Sequence, residues 1–414
     1  MTDPTLWPAH EQARAIADQR LGSEELLDLC LARIDAVDSV VNAVCTQVVA
    51  AARERCRRAD AAVARGESWG PLHGLPITVK DAIATAGIRS TGGAEALRDH
   101  VPAADAPAVA ALKSAGAVVF GKTNLPEWSG DWQSWNTMFG TTNNPWDVTR
   151  TPGGSSGGAA AAVACGMTSF ELGTDIGGSV RVPSAFCGVY GLKPTWGVIP
   201  TFGYLDEPDG GLTESDVNVF GPIARSAQDL DLLLTVLADP GRGGLPAAAV
   251  DDPRRLRVAA WIDDDDLPAD ASVRAGLHAA ADALEALGAR VDRTARPVID
   301  ALAAARNGMI LIGAALAISS PEDRGFTHRQ WIERDRQRAR DRVVWAEFFQ
   351  QFDVLLCPVT ALPAFPHMQE GHWSERRIMI DGVDRAYLDL ELWPALIGSA
   401  YLPSVAAPVG FTAD

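Results

Sequence analysis

The sequence predicts an α/β fold with a mixed, largely parallel central β-sheet that is flanked by helices on both faces. The chain has 414 residues, of which 47% are apolar, so it can bury a large core. Short β-prone runs also alternate with segments of helical periodicity, as in the strand at 256–261 and the amphipathic helix at 272–287. No internal repeat or low-complexity linker interrupts this pattern, so we expect one domain over residues 1–414.

The predicted domain has three stretches in chain order. Residues 8–66 show the spacing of apolar residues that is typical of helices. Residues 70–225, approximately, form a core that holds the glycine-rich motifs, and residues 226–414 continue the α/β pattern.

Individual elements follow from their patterns and end signals. Gly116 is a typical residue after the end of a helix, and the segment 157–167 is apolar all round, which indicates a buried helix. In chain order we predict a strand at 75–79, helix 106–115, strand 117–120, helices 157–167 and 226–239, strand 256–261, helix 272–287, and strands 354–358 and 404–409.

Charge and composition exclude several classes of function. The formal net charge is −17, which argues against nucleic acid or an anionic membrane as a partner. The longest uncharged apolar run is too short to span a bilayer, and no signal peptide is evident at the first residues. The six cysteines form no C-x-x-C pair, which is typical of reduced thiols. We therefore expect a cytoplasmic protein without a cofactor.

The run Asp263–Asp266 is the one candidate for a metal site. No histidine or spaced glutamate accompanies it, so we interpret it as a solvated loop and predict no metal.

Two serines set among glycines carry the strongest chemical signal. Ser155 lies in the run Gly153–Gly158, and Ser179 follows Gly177 and Gly178. Glycine lets the backbone approach a ligand closely, so each serine can expose its hydroxyl beside free N–H groups. This arrangement suits a nucleophile next to an oxyanion hole. The alternative is structural, namely two glycine-rich turns on either side of a buried helix.

Lys80 adds a candidate base. It is one of four lysines, and it stands at the end of the apolar, strand-like run Leu75–Val79. A lysine that enters an apolar core should have a lowered pKa, so its neutral amine can act as a base. One lysine and two serines make a proton relay that needs no histidine.

Two other motifs match known patterns of function. Residues 116–123 fit the phosphate-loop pattern, but the four middle residues are β-prone and apolar, and no helix follows. Residues 153–157 fit the nucleophile elbow of α/β hydrolases, but no strand precedes them and no histidine has a catalytic setting.

Several motifs together resemble the amidase signature family of Ser-Ser-Lys amide hydrolases. Order and spacing agree over about residues 70–225, and more loosely to the end of the chain. The matching segments are His73–Asp81, Gly121–Asn124, Asn144–Trp146, Thr151–Gly158, Asp175–Pro183 and Phe186–Thr195.

This resemblance implies amide hydrolysis through a serine ester. Ser179 would be the nucleophile, Ser155 would pass its proton, and Lys80 would be the final base. The resemblance also implies a cis peptide bond before Ser155. The oxyanion would be held by the backbone N–H groups of Ile176, Gly177, Gly178 and Ser179.

Supporting roles follow from the same resemblance. Ser156 would steady its loop, and Asp175 and Arg181 would orient the oxyanion segment, although an ordinary buried ion pair explains Arg181 equally well. An aromatic cluster lies where the family often lines its acyl pocket, with plain core packing as the alternative. Its members are Trp128, Trp132, Trp135, Met138 and Phe139.

The expected partners are a small-molecule amide and water, with a homodimer as an open possibility. We predict an amidase of the acylamide type that acts on linear amides. The family pattern usually continues beyond Asp414 into a further strand and helix, which the sequence lacks. Two rival hypotheses remain open. One is the glutaminase-type subunit of a tRNA-dependent amidotransferase, and the other is a non-catalytic truncated homologue.

Overall fold

The structure is a computed structural model that describes residues 3–208, 210–242, 245, 250, 252–317 and 327–412. The chain divides into two compact units. Unit 1 consists of Met1–Asp175, Ser179–Gly244 and Ser404–Ala407, and unit 2 of Ile176–Gly178, Leu245–Pro403 and Pro408–Asp414. Strands and helices alternate along both, so the predicted mixed α/β class is confirmed.

The described residues contain the following strands in chain order: β1 (Val44–Gln47), β2 (Pro76–Lys80), β3 (Val118–Thr123), β4 (Trp135–Asn136), β5 (Gly140–Thr141), β6 (Glu171–Asp175), β7 (Tyr190–Lys193), β8 (Val219–Ala224), β9 (Arg257–Ala260), β10 (Arg290–Asp292), β11 (Val354–Leu356), β12 (Arg377–Ile380), β13 (Val383–Ala386) and β14 (Ser404–Ala406).

The described helices are α1 (Ala9–Ala17), α2 (Ser23–Val41), α3 (Val49–Ala64), α4 (Pro107–Ser114), α5 (Gly157–Ala164), α6 (Arg181–Cys187), α7 (Ala227–Leu237), α8 (Ala271–Ala286), α9 (Ala301–Ala315), α10 (His328–Gln351) and α11 (Leu392–Gly398). The individually predicted helices and strands are present, and their ends differ from the predicted ones by at most three residues.

The N-terminal stretch 8–66 differs from its prediction as purely helical. Helix α2 stops at Asn42, which adopts left-handed backbone angles, and β1 follows before α3 begins. Strand β1 pairs antiparallel with β3. This tertiary pairing makes the segment a strand, although the sequence on both sides of it has the spacing of helices.

Unit 1 is built on two main sheets. One has the order β1-β3-β2, and the other has the order β14-β7-β8-β6 with antiparallel neighbours throughout. Strand β2 runs parallel to β3, and β4 and β5 form a small hairpin. The residues that fit the phosphate-loop pattern lie largely in β3, whose extended backbone cannot curl around a phosphate.

Helix α5 forms the centre of the unit 1 core. Its residues Gly157–Val163 are fully buried, as its uniformly apolar sequence predicts. A side chain on Gly158 would lie 2.5 Å from the carbonyl oxygen of Asn124 and 2.9 Å from that of Ala43. Glycine therefore lets the start of this helix lie directly on neighbouring backbone.

Unit 2 has a three-stranded parallel sheet of order β10-β9-β11 and a hairpin of β12 and β13. Its largest apolar cluster includes Trp261, Trp345 and Trp393, each at most 2% exposed. Among the described strands, the parallel pairs are β10 with β9, β11 with β9, and β2 with β3.

Candidate active site

Three neighbouring segments of unit 1 carry the predicted triad. Lys80 is the last residue of β2, Ser155 lies in the loop before α5, and Ser179 lies between β6 and α6. Lys80 and Ser155 are completely buried, and Ser179 is 6% exposed. A substrate that reached Ser179 would therefore be held in a site with little water, where hydrogen bonds and charges act strongly.

Lys80 has two close hydrogen-bond partners. Its Nζ lies 2.6 Å from Ser155 Oγ and 2.7 Å from Thr174 Oγ1. Burial lowers the pKa of Lys80 well below its usual value of 10.5, although the carboxyl groups of Asp175 and Glu171 act to raise it. The effect of burial could be expected from the apolar run before the lysine. The opposing effect depends on the fold, because the two carboxyl groups come from a different strand.

Thr174 is a candidate site residue that the sequence analysis missed. It lies on β6, directly before Asp175, and its hydroxyl is the second partner of the lysine amine. The available signal was its position five residues before Ser179, within the glycine-flanked motif.

The loop that carries Ser155 has an unusual backbone. The Gly154–Ser155 peptide bond is cis, as the family resemblance implies. A side chain on Gly154 would lie 2.5 Å from the carbonyl oxygen of Asp131 and 2.7 Å from the Gln133 nitrogen. Ser134 supports the same loop, because its hydroxyl donates to the Gly153 carbonyl at 3.0 Å. Glycine at 154 is thus required by close backbone approach.

The two loops that carry the predicted catalytic serines are joined through backbone rather than through the serine hydroxyls. The Ser156 N–H donates to the Ser179 carbonyl at 3.0 Å. Among the described residues, no hydrogen bond joins the Ser155 and Ser179 hydroxyls. Ser155 Oγ is instead held by Lys80. Catalytic hydrogen bonds often tighten only when a substrate is bound.

Ser156 links its loop to β6. Its hydroxyl donates to the Thr174 carbonyl at 3.2 Å and accepts from the Thr174 N–H at 3.3 Å. This pair of contacts ties the loop before α5 to the strand β6.

Asp175 and Arg181 form a buried, bidentate ion pair. Arg181 Nε lies 2.9 Å from Asp175 Oδ2, and Arg181 Nη2 lies 2.8 Å from Oδ1. The same carboxylate accepts from the backbone N–H groups of Val180 and Arg181. The structure thus contains the buried ion pair that was the alternative for Arg181, and this pair fixes the turn that directly follows Ser179.

The predicted oxyanion segment Ile176–Gly178 belongs to unit 2. Gly178 has φ = +106°, an angle that favours glycine. Within unit 2, the Glu391 carboxylate lies so close to Gly177 that an added side chain there would overlap Oε1. Glu391 is 7% exposed, and nothing in the local sequence around it indicated this position.

The five predicted pocket residues occupy different surroundings. The Trp128 ring lies against Gly92, and the backbone of Trp132 lies against Gly154, next to Ser155. Trp135 is in the β4–β5 hairpin, and the Phe139 ring lies 5.2 Å from the Arg89 guanidinium carbon. The Met138 N–H donates to the Asn136 side chain. Trp132 is therefore the member whose backbone touches the loop of a predicted catalytic serine.

A second buried lysine lies on β3. Lys122 Nζ donates to the Ile83 carbonyl at 2.5 Å and to Thr85 Oγ1 at 2.9 Å. Burial lowers its pKa to about 8, against the opposing charges of Asp81 and Glu171. Burial also raises the pKa of Glu171 to about 7, although Thr123 Oγ1 donates to this carboxyl group at 2.9 Å. Unit 1 thus buries several ionisable groups of different strands.

The part of the chain that the structure describes contains no group of three or more His, Cys, Asp or Glu side chains arranged to hold a metal ion. Nor does any helix in these residues combine the length and apolar character needed to cross a membrane.

Curated relatives share the sequence of much of the chain. The A subunit of glutamyl-tRNA(Gln) amidotransferase from Moorella thermoacetica is 43% identical over 245 residues, which is 59% of this chain and 49% of that protein. Its counterpart from Anaeromyxobacter sp. is 39% identical over 292 residues, with 67% and 58% coverage. The chain thus spans about half the length of the curated relatives it matches.

Solved structures are similar over nearly the whole chain. An amidase crystal structure has a TM-score of 0.80 and 28% identity, covering 97% of this chain and 92% of that one. A 6-aminohexanoate cyclic dimer hydrolase has a TM-score of 0.77 and 26% identity, with 99% and 91% coverage. The A subunit of glutamyl-tRNA(Gln) amidotransferase from Thermotoga maritima has a TM-score of 0.76 and 25% identity, with 100% and 90% coverage.

A family model described as Amidase matches residues 25–320, which is more than half of the chain. This range includes the lysine at the end of β2 and both glycine-flanked serines. The chain therefore belongs to the amidase signature family that its motifs resemble.

Proposed function

We propose that this protein hydrolyses the carbon–nitrogen bond of a linear amide to a carboxylate and ammonia or an amine. Lys80, Ser155 and Ser179 are the catalytic residues of this proposal. The observation that carries it is the buried contact of 2.6 Å between Lys80 Nζ and Ser155 Oγ. A lysine amine that burial keeps neutral is a base, and a hydroxyl in contact with it is a natural proton carrier.

In the first half of the reaction, Ser179 Oγ attacks the carbonyl carbon of the amide. Its proton passes to Ser155, whose own proton passes to the Lys80 amine. The negative charge that develops on the carbonyl oxygen is held by the backbone N–H groups of residues 176–179. The proton then returns through Ser155 to the leaving nitrogen, and the carbon–nitrogen bond breaks to leave a seryl ester.

In the second half, water replaces the nitrogen. The relay removes a proton from the water, whose oxygen attacks the ester carbon. The ester bond breaks, Ser179 recovers its proton from the relay, and the product leaves as a carboxylic acid that loses its remaining proton to solvent to become the carboxylate. Ser156, Asp175 and Arg181 act as positioning residues, because their hydrogen bonds fix the segments on either side of Ser179. No cofactor or metal takes part in this scheme.

The sharpest test is covalent labelling with a fluorophosphonate, followed by intact-mass analysis and peptide mapping. We expect one adduct on Ser179 in the unmodified chain and none in Lys80→Ala. Lys122→Ala is the matched control, since it removes another buried lysine without touching Ser155, and it should still be labelled. A properly folded protein that takes up no label, or takes it elsewhere than Ser179, would overturn the proposal.

A second candidate is the same chemistry on the side-chain amide of glutamine, within a larger assembly. It is favoured by the name of the relatives, which are A subunits of glutamyl-tRNA(Gln) amidotransferase. A protein of that kind should turn over glutamine poorly on its own. Steady hydrolysis of simple amides by the isolated chain would favour the first candidate. Turnover that requires added partner proteins would favour the second.

A further inference from the structure

Asn218 has a buried side chain without a hydrogen-bond partner in the described part of the chain. It is 1% exposed, and neither Nδ2 nor Oδ1 forms a hydrogen bond with any residue that the structure describes. Buried polar groups are nearly always hydrogen-bonded, so an orphaned carboxamide needs an explanation. Other buried asparagines of unit 1 show the usual situation. Asn136, for example, donates to the Leu125 carbonyl and accepts from the Met138 and Phe139 N–H groups.

The backbone next to Asn218 is strained. Val217 has φ = +57°, in the left-handed region that a β-branched residue rarely adopts. The preceding side chain holds this turn, because Asp216 Oδ1 accepts from the Val217 N–H at 2.9 Å. An unfavourable backbone conformation thus leads directly into an unfavourable side-chain environment. Such combinations persist mainly at functional sites.

The alternation of side chains in β8, continued back by one residue, assigns Asn218 to the same face as Thr174. Asn218 directly precedes β8, in which Val219 pairs with Asp175 and Phe220 pairs with Thr174. Side chains alternate along a strand, so Asn218 shares a face with Phe220 and with its partner Thr174. Thr174 Oγ1 is the group that lies 2.7 Å from Lys80 Nζ. The orphaned carboxamide therefore belongs to the side of the sheet that meets the proposed relay.

Phe220 brings an aromatic neighbour to this face. The Tyr204 ring packs edge-on against Phe220, with 6.4 Å between centroids. Burial raises the pKa of Tyr204 to about 12, with the hydroxyls of Ser129 and Thr174 opposing the rise, so its phenol stays uncharged. A carboxylate only accepts hydrogen bonds and an ammonium only donates them, so a charged substrate group would satisfy only one of the two orphaned atoms of Asn218. A neutral group with both a donor and an acceptor fits the carboxamide instead.

We propose that Asn218 is a substrate-binding residue that recognises a second, neutral carboxamide in the acyl part of a primary amide. The inference rests on the proposed function. With ammonia as the leaving group, any further polar group must belong to the acyl part. Asn218 donates to the oxygen of that group and accepts from its nitrogen, so that binding supplies the two hydrogen bonds that the free protein lacks.

The test uses two substrates that differ only in this group, butanediamide and butanamide. We expect the unmodified protein to prefer butanediamide in kcat/KM by on the order of 10²-fold, because a site built to hydrogen-bond a group rejects analogues without it. Asn218→Leu should abolish most of that preference. The Asn218→Asp variant keeps the shape of the side chain and removes its hydrogen-bond donor, so it should also lose most of the preference. It provides the same test if Asn218→Leu does not fold.

Thermal stability separates this role from a structural one. Asn218→Leu removes two orphaned polar atoms, so its Tm should equal or exceed that of the unmodified protein. The matched control Asn136→Leu breaks satisfied hydrogen bonds and should lower the Tm. An unmodified protein without the preference, or Asn218 variants that retain it, would overturn the inference. Fluorophosphonate labelling of Ser179 in the same samples shows whether the proposed function itself still holds.

Discussion

The Lys80 amine and the Ser155 hydroxyl lie 2.6 Å apart in the core, although 75 residues separate them in the chain. The contact joins the end of β2 to the loop before α5, and both side chains are completely buried. Burial of an amine without a carboxylate in direct contact favours its neutral form. The fold thereby places an amine whose pKa is lowered by burial beside a hydroxyl before any substrate arrives.

Ser155→Ala should remove most turnover, whereas Ser156→Ala should have a smaller effect. In the proposed relay Ser155 carries the proton, so its loss should lower kcat by about 10²–10⁴-fold. Ser156 is equally buried and adjacent, but it only ties its loop to Thr174, so we expect about a tenfold loss. Steady-state kinetics with circular dichroism as a folding control would measure both. Equal losses in the two variants would contradict the proposed relay.

The rate should fall in acid with a midpoint well below 10.5. The pKa of Lys80 is lowered by burial, and only its neutral form accepts a proton, so kcat/KM should be constant above that pKa and decline below it. The profile of kcat/KM against pH measures this limb.

Lys122 offers a control for the acid limb, because burial also lowers its pKa, to about 8. In Lys122→Met the acid limb should stay in place, since this lysine contacts Ile83 and Thr85 rather than a serine of the proposed relay. Disappearance of the limb in that variant would show that Lys122, and not Lys80, is the group that titrates.

Glu171→Gln should stabilise the protein more at pH 8 than at pH 5. Burial raises the pKa of Glu171 from 4.5 to about 7. At pH values between these two, the carboxyl group is protonated in the folded state and ionised in the unfolded state. Its contribution to stability is therefore full below pH 4.5 and disappears as the pH rises through 7. At about 1.4 kcal/mol per pKa unit, the difference is on the order of 3 kcal/mol.

Chemical denaturation of the unmodified protein and of Glu171→Gln at pH 5 and pH 8 measures this effect. All other ionisable groups are common to the two proteins, so their contributions cancel in the difference. A constant difference in unfolding free energy between pH 5 and pH 8 would show that Glu171 does not titrate in this range.

Gly158→Ala and Gly276→Ala should change stability in opposite directions. Both glycines lie inside helices, α5 and α8. A methyl group on Gly158 would meet the Asn124 backbone at 2.5 Å, and such overpacking costs about 1–3 kcal/mol. The nearest atom to a methyl group on Gly276 is 3.5 Å away, so helix propensity should dominate and stabilise by about 0.5–1 kcal/mol. Thermal unfolding of both variants would measure the two changes in stability. Changes of the same sign would contradict the prediction.

Several features could be predicted because they depend on local pattern. The apolar run before Lys80 indicated both a buried strand and a lowered lysine pKa, and both occur. The alanine-rich segment of α5 indicated a helix buried on all sides, since no face of it is polar. Strand β1 was missed, because its pairing with β3 depends on residues about 75 positions away.

Residue type and spacing were enough to establish the class of fold and the family, and to select the lysine and the two serines of the proposed relay. These are local properties, because a serine flanked by glycines or a lysine in an apolar run can be recognised within a few residues. Packing in three dimensions was needed to find that Lys80 also meets Thr174 and that burial perturbs Glu171 and Lys122 as well. It was also needed to find that Asn218 has no hydrogen-bond partner among the described residues. These contacts join separate strands, and desolvation depends on everything that packs around a group, which no local pattern encodes.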